Sequence, residues 1–223
     1  MCVSWLRSSL GKKTLMAISG LMLVGFVIMH LAGNLLVFAG AEALNAYAEK
    51  LRHVPALLWG ARAALLAAVI VHVVTSVQLA RENAAARPQH YAAYRAQKST
   101  LAGRTMMLSG LLLLAYLVYH LLHFTFRTAH PELSMAVDPF GRHDVYAMVI
   151  MSFNNRAIAL VYILGMAVLC AHLHHGIAST WQTLGFADER SLRLAGFIGR
   201  TAALLLFVGY SAIPVAVLLG YLV

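Results

Sequence analysis

Carboxylates and cysteines are scarce in this chain. Only eight of its 223 residues are Asp or Glu, and none lies inside a long apolar run. That counts against an ion path through a membrane, whose sites should gather near the midplane with carboxylates. The two cysteines, Cys2 and Cys170, stand in no CxxC, CxxCH or zinc-type spacing. That excludes covalent haem c, an iron–sulfur cluster and a zinc finger, and argues against a disulfide scaffold. No dinucleotide fingerprint, internal repeat or low-complexity segment occurs. The formal charge of +9 does not mark a nucleic-acid binder, because the basic residues sit in short loops between apolar runs.

What the chain has in excess is apolar surface. With 61% hydrophobic residues, 11% charged and a mean hydropathy of +0.76, it falls outside the soluble class. Five runs, about 15–39, 57–80, 105–127, 157–181 and 196–222, are each long enough to cross a hydrocarbon core of roughly 30 Å as a helix. In lipid the backbone must satisfy its own hydrogen bonds, so helices are required. The expected fold is an all-α integral membrane bundle of five transmembrane helices, one membrane domain over residues 1–223. Eleven of the 17 basic residues fall on the side of the N-terminus, in 7–13, 81–104 and 190–200. The positive-inside rule then puts the N-terminus in the cytoplasm and the C-terminus outside. The pieces 41–54 and 92–98 read as amphipathic segments in the interface.

Histidine is the polar residue these runs do contain. His30 and His120 each lie about 15 residues into their helices from the cytoplasmic side, so they are level, roughly 22 Å deep. His72 and His175, counted from the outside, form a second level pair nearer the cytoplasm. Two facing imidazoles fill both axial positions of a haem iron and give a six-coordinate centre suited to electron transfer. Glycines near these positions, Gly25, Gly33, Gly110, Gly165 and Gly176, would let a macrocycle approach the backbone. In CAHLHHG (170–176), His172 shares a face with His175 whereas His174 points elsewhere. His172 and His123 read as supporting groups that bond a haem propionate or orient a ligand, with a hydrogen bond to an i−4 carbonyl as the alternative.

Several stretches, HLAGNLLVF (30–38), NAYAEKLR (45–52), VHVVTSVQLARENAAARP (71–88), HLLHF (120–124) and HLHHGIASTWQTLG (172–185), closely resemble the cytochrome b membrane subunit of succinate dehydrogenases and fumarate reductases, of the single-anchor, five-helix, two-haem type. The resemblance covers nearly the whole chain, and HG followed by a serine and QTLG is its most specific element. It implies two haem b groups with His30 and His120 as axial ligands of the outer one and His72 and His175 of the inner one, the four residues that depth also selects. It further implies a multi-pass subunit of the bacterial inner membrane with no succinate site of its own. Such a subunit anchors a flavoprotein and an iron–sulfur protein on the cytoplasmic face, and passes electrons between them and a quinone, menaquinone when two haems are present.

Two other readings stay open at this level: the haem b subunit of another quinone-linked dehydrogenase, and a histidine-bearing proton or metal transporter. A quinone pocket could draw on Asn34, Glu49, Arg62 or Arg156 near the outer pair, or on Ser4, Trp5, Arg7 or Arg104 near the inner one. The basic cytoplasmic loops, with Trp5 and Trp181 at interface depth, serve either as a docking surface or as topology signals and lipid anchors alone.

Overall fold

The computed structural model describes residues 8–86, 105–186 and 188–223. The expected interface segment 92–98 lies outside them, as do Ser4, Trp5, Arg7, Arg87, Arg95, Lys98 and Arg104. Among the described residues the chain is helical with no strand. Its helices are α1 (Ser9–Asn34), α2 (Ala41–Arg52), α3 (Pro55–Ala85), α4 (Met106–His120), α5 (Val145–Asn154), α6 (Arg156–Thr183) and α7 (Glu189–Leu218). Five segments are long and apolar enough to cross a membrane: Ser9–Ala39, Pro55–Ala85, Met106–Thr125, Arg156–Thr183 and Glu189–Leu218. The long helices alternate in direction, so α1, α4 and α7 start at one end of the bundle and α3 and α6 at the other.

Local chemistry sets the helix starts. Ser8 Oγ accepts from Gly11 N at 3.0 Å, Asn155 Oδ1 from Ala157 N at 3.0 Å, and Asp188 Oδ1 from Ser191 N at 3.0 Å. Each satisfies an amide that the helix leaves without a partner. Pro55 opens α3, where a missing N–H costs nothing. Gly40, at φ 100°, turns the chain from a 3₁₀ segment (Leu35–Ala39) into α2, a conformation L residues rarely adopt.

The two ends of the bundle differ. At the capped end, α2 and α5 pack on each other beside the 131–144 loop. A polar clamp joins them: Asn45 Nδ2 donates to Asp144 Oδ1 at 2.9 Å and Asn45 Oδ1 accepts from Tyr146 N at 3.0 Å. Arg142 donates to Asp138 Oδ2 at 2.6 Å and to Glu42 Oε2 at 2.6 Å. Burial alone would raise the Asp138 carboxyl, but hydrogen bonds from the Arg142 backbone and side chain hold it below its ordinary value. The main apolar core lies beneath the clamp, built from Val37, Leu44, Val149, Phe153, Tyr162 and Ile213 among others.

At the other end, the N-terminal end, Lys12 pairs with Glu82 across α1 and α3. Between the ends, α6 and α7 pack closely because α7 presents a small-residue stripe, Ala195, Gly199 and Ala203. A methyl added at Gly199 would stand 3.3 Å from the His174 carbonyl of α6. Small residues at this spacing let backbones approach where lipid supplies no hydrophobic drive.

Two features depart from the sequence reading. The third run is not one helix through 127: α4 ends at His120, a π turn covers Leu121–Thr125, and Arg127 has φ 57°, which reverses the chain. The helix α5 was not anticipated, since ten residues are too few to register as a span.

Candidate functional site: two facing histidine pairs

The first pair lies toward the capped end. His30 comes from α1 four residues before its end, and His120 is the last residue of α4. Their ring centroids are 5.9 Å apart with the planes at 83°. Aromatic side chains enclose them. Phe26 stacks on His30 at 5.2 Å and Tyr116 on His120 at 6.2 Å, while Tyr162 and Phe124 meet His120 at 5.9 and 5.7 Å. Tyr210 of α7 lies 6.2 Å from His30 and donates to the Val27 carbonyl at 2.7 Å, which fixes that wall. His120 Nδ1 is buried with no hydrogen-bond partner. Inside a membrane helix such a group is costly unless a ligand engages that nitrogen.

The second pair lies toward the N-terminal end and joins α3 to α6. The ring facing His72 belongs to His172, with centroids 6.4 Å apart and planes at 66°. His175, the partner expected from depth, stands one turn further along α6, and His174 is exposed. Counted along α4 from Ser109 to His120, the two pairs are about 16 Å apart.

Hydrogen bonds set which nitrogen is free in this second pair. His72 Nδ1 lies 3.1 Å from the Met16 carbonyl, which only accepts, so Nδ1 carries the proton. His172 Nδ1 lies 3.0 Å from Ser109 Oγ. Ser109 gives its own proton to the Met106 carbonyl at 3.0 Å, so it accepts from His172. Both rings are thereby held as Nδ1–H tautomers with Nε2 lone pairs available. A metal-bound imidazole uses the same arrangement, donating its other N–H to a fixed acceptor.

The helices that carry these acceptors also make room for the rings. Ser19 is followed by Gly20, where an added methyl would lie 3.2 Å from His72 Cε1. Ser109 is followed by Gly110, where it would lie 3.5 Å from His172 Cε1. The matching tetrapeptides ISGL (18–21) and LSGL (108–111) thus serve as paired cradles. Sequence reasoning missed Ser19, Gly20 and Ser109, although the repeated Ser-Gly step was visible. Of the other glycines singled out, Gly33 faces the Tyr47 ring and Gly165 the Tyr116 ring, while Gly25 and Gly176 have nothing within 4 Å.

The spacing of the pairs can be compared with what a metal would need. Imidazoles bound on opposite sides of one ion, each at about 2.0 Å, set their centroids roughly 6 Å apart. Both pairs meet this. Among the described residues no three His, Cys, Asp or Glu side chains gather to hold a metal by themselves. A metal here would need its remaining ligands from a macrocycle, and the residues present fit a haem held by two axial histidines.

The remaining candidates have other partners. His123 is 1% exposed and bonded at both nitrogens, to Tyr162 Oη at 2.9 Å and Ser152 Oγ at 3.1 Å. Asn34 Nδ2 donates to the His30 carbonyl at 2.7 Å, Glu49 lies 3.6 Å from both Arg142 and His53, and Arg62 sits over the Trp59 ring at 4.9 Å. Arg156 opens α6, and Trp181 packs on Phe186 at 5.2 Å. No family model, curated protein or solved structure matches this chain.

Proposed function

We propose that the chain is a dihaem cytochrome b, the membrane anchor of a succinate dehydrogenase or fumarate reductase, passing electrons between an iron–sulfur subunit and a quinone, with menaquinone the expected species. The carrying observation is the pair of facing histidines in each half of the bundle, both pairs at bis-imidazole spacing, one of them with each Nδ1 already engaged. In this reading His30 and His120 hold one haem b, and His72 and His172 the other, His172 taking the role that depth had given to His175. Haem supplies a one-electron couple at each pair.

The chain's own residues do the rest. The Met16 carbonyl and Ser109 Oγ orient the rings of one pair, and the rings of Phe26, Tyr116, Tyr162 and Tyr210 pack around the other. With the N-terminus in the cytoplasm of a bacterial inner membrane, the His72–His172 pair lies nearer the flavoprotein and iron–sulfur partners. Electrons then move between that side and the His30–His120 pair.

The test is a dithionite-reduced minus oxidised spectrum of the purified chain, with haem counted against protein. Two b-type haems per chain are expected. A chain purified from haem-replete cells without haem bands would overturn the reading in favour of a histidine-bearing transporter.

A further inference from the structure

The aromatic wall of the His30–His120 pair contains one buried hydroxyl with an unusual anchor. Tyr162 of α6 lies in edge contact with His120, and its hydroxyl meets His123 Nδ1 at 2.9 Å. The protonation of that contact can be derived. Ser152 of α5 gives its proton to the Met148 carbonyl at 2.6 Å and so must accept from His123 Nε2. His123 is therefore the Nε2–H tautomer, and its Nδ1 accepts from Tyr162. One histidine thus ties the turn after α4 to α5 and α6 at once, and every polar atom of the tie is satisfied.

Its position follows from the backbone. His123 sits in the π turn that begins right after His120, and such turns re-aim side chains at functional positions. An apolar core would do the same packing with phenylalanine and leucine at 123 and 162, without the cost of polar groups at membrane depth. The groups facing His123 are Tyr119 and Phe124 of its own strand of chain, Ser152 of α5, Tyr162 of α6, and His130 of the loop, whose ring is 5.0 Å away beside the exposed Glu132.

We infer that His123 is a positioning residue for His120, acting through the Tyr162 hydroxyl to fix the plane of the His120 ring and hence the redox equilibrium of the centre it would ligate. The inference rests on the haem reading above. His123 touches neither the reacting centre nor, by ring contact, His120. Phe124 and Tyr162 each contact both rings, and of the two only Tyr162 is also hydrogen-bonded to His123, so it is the ring through which the bond reaches His120.

The test is a redox titration of the haem-loaded chain with low-spin electron paramagnetic resonance of each centre, for wild type, His123→Phe, Tyr162→Phe and the double variant. Tyr162→Phe removes a single oxygen and keeps the packing, so it carries the test even if His123→Phe folds poorly. The expected result is a displaced signal and potential for one centre only, by about tenfold in its redox equilibrium constant, 59 mV for one electron. The double variant should shift no further than either single, since both remove the same bond. His123→Gln, which can donate to Ser152 and accept from Tyr162, should restore the wild-type signal. Haem bands present with both centres unmoved in Tyr162→Phe would overturn the inference, as would equal shifts of both. Absent haem bands in wild type would overturn the haem reading itself.

Discussion

At the residue scale the central question is which histidine of CAHLHHG faces α3. His172 and His175 are three residues apart, about 4.5 Å in height and 60° in rotation on a helix. A count from an uncertain helix start cannot separate positions that close. The groups that decide lie on other helices: Ser109 of α4 receives His172, and Met16 of α1 receives His72. We therefore predict that His172→Ala removes one haem of two, whereas His175→Ala leaves both, as read by the haem-to-protein ratio. Two haems surviving in His172→Ala would contradict the pairing.

A second prediction concerns the cradle beside His72. Gly20→Val adds a branched side chain where even a methyl would come within 3.2 Å of the ring. It should cost about 1–3 kcal/mol through overpacking and expel the same haem as His172→Ala while sparing the other. Thermal unfolding in detergent and the visible spectrum together check it.

At the scale of elements, the five spans were legible because twenty apolar residues in lipid allow few forms other than a helix, and α2 was legible from its amphipathic pattern. The π turn was not, since it depends on His123 being drawn toward Ser152 and Tyr162 by bonds between segments far apart in sequence. Nor was α5, whose ten residues are held by the Asn45 and Asp144 contacts rather than by a pattern of their own. Element ends can be tested singly. Asn155 caps α6 with two backbone amides, so Asn155→Ala should lower stability by about 1 kcal/mol without moving either haem spectrum. Gly199→Leu at the α6–α7 contact should do far more damage, because a whole side chain must enter a gap where a methyl already meets the His174 carbonyl at 3.3 Å. Loss of folded yield in that variant alone is the expected outcome.

For the whole molecule, the capped end is a separate source of stability with its own pH dependence. The Asp138 carboxyl is held below its ordinary value, so its contribution is present above the unfolded value of about 3.9 and is lost as pH falls through the folded one. Amide exchange in α2 should quicken on acidification below that range, and Asp138→Asn should show the fast exchange already at neutral pH. Exchange independent of both would remove the clamp from the account. The distance between the pairs has an electrical consequence as well. About 16 Å of a core about 30 Å thick is half a crossing, or roughly 1.2 kcal/mol per electron per 100 mV. On the proposed dihaem reading, an imposed potential should shift the electron distribution between the two centres accordingly.

The most direct measurement of the central claim counts haem in variants that break one pair at a time. His30→Ala should keep one haem, His72→Ala should keep the other, and the two changes together should leave none, with each single variant losing a different low-spin signal. Both haems lost from either single variant, or neither lost, would contradict two independent bis-histidine sites.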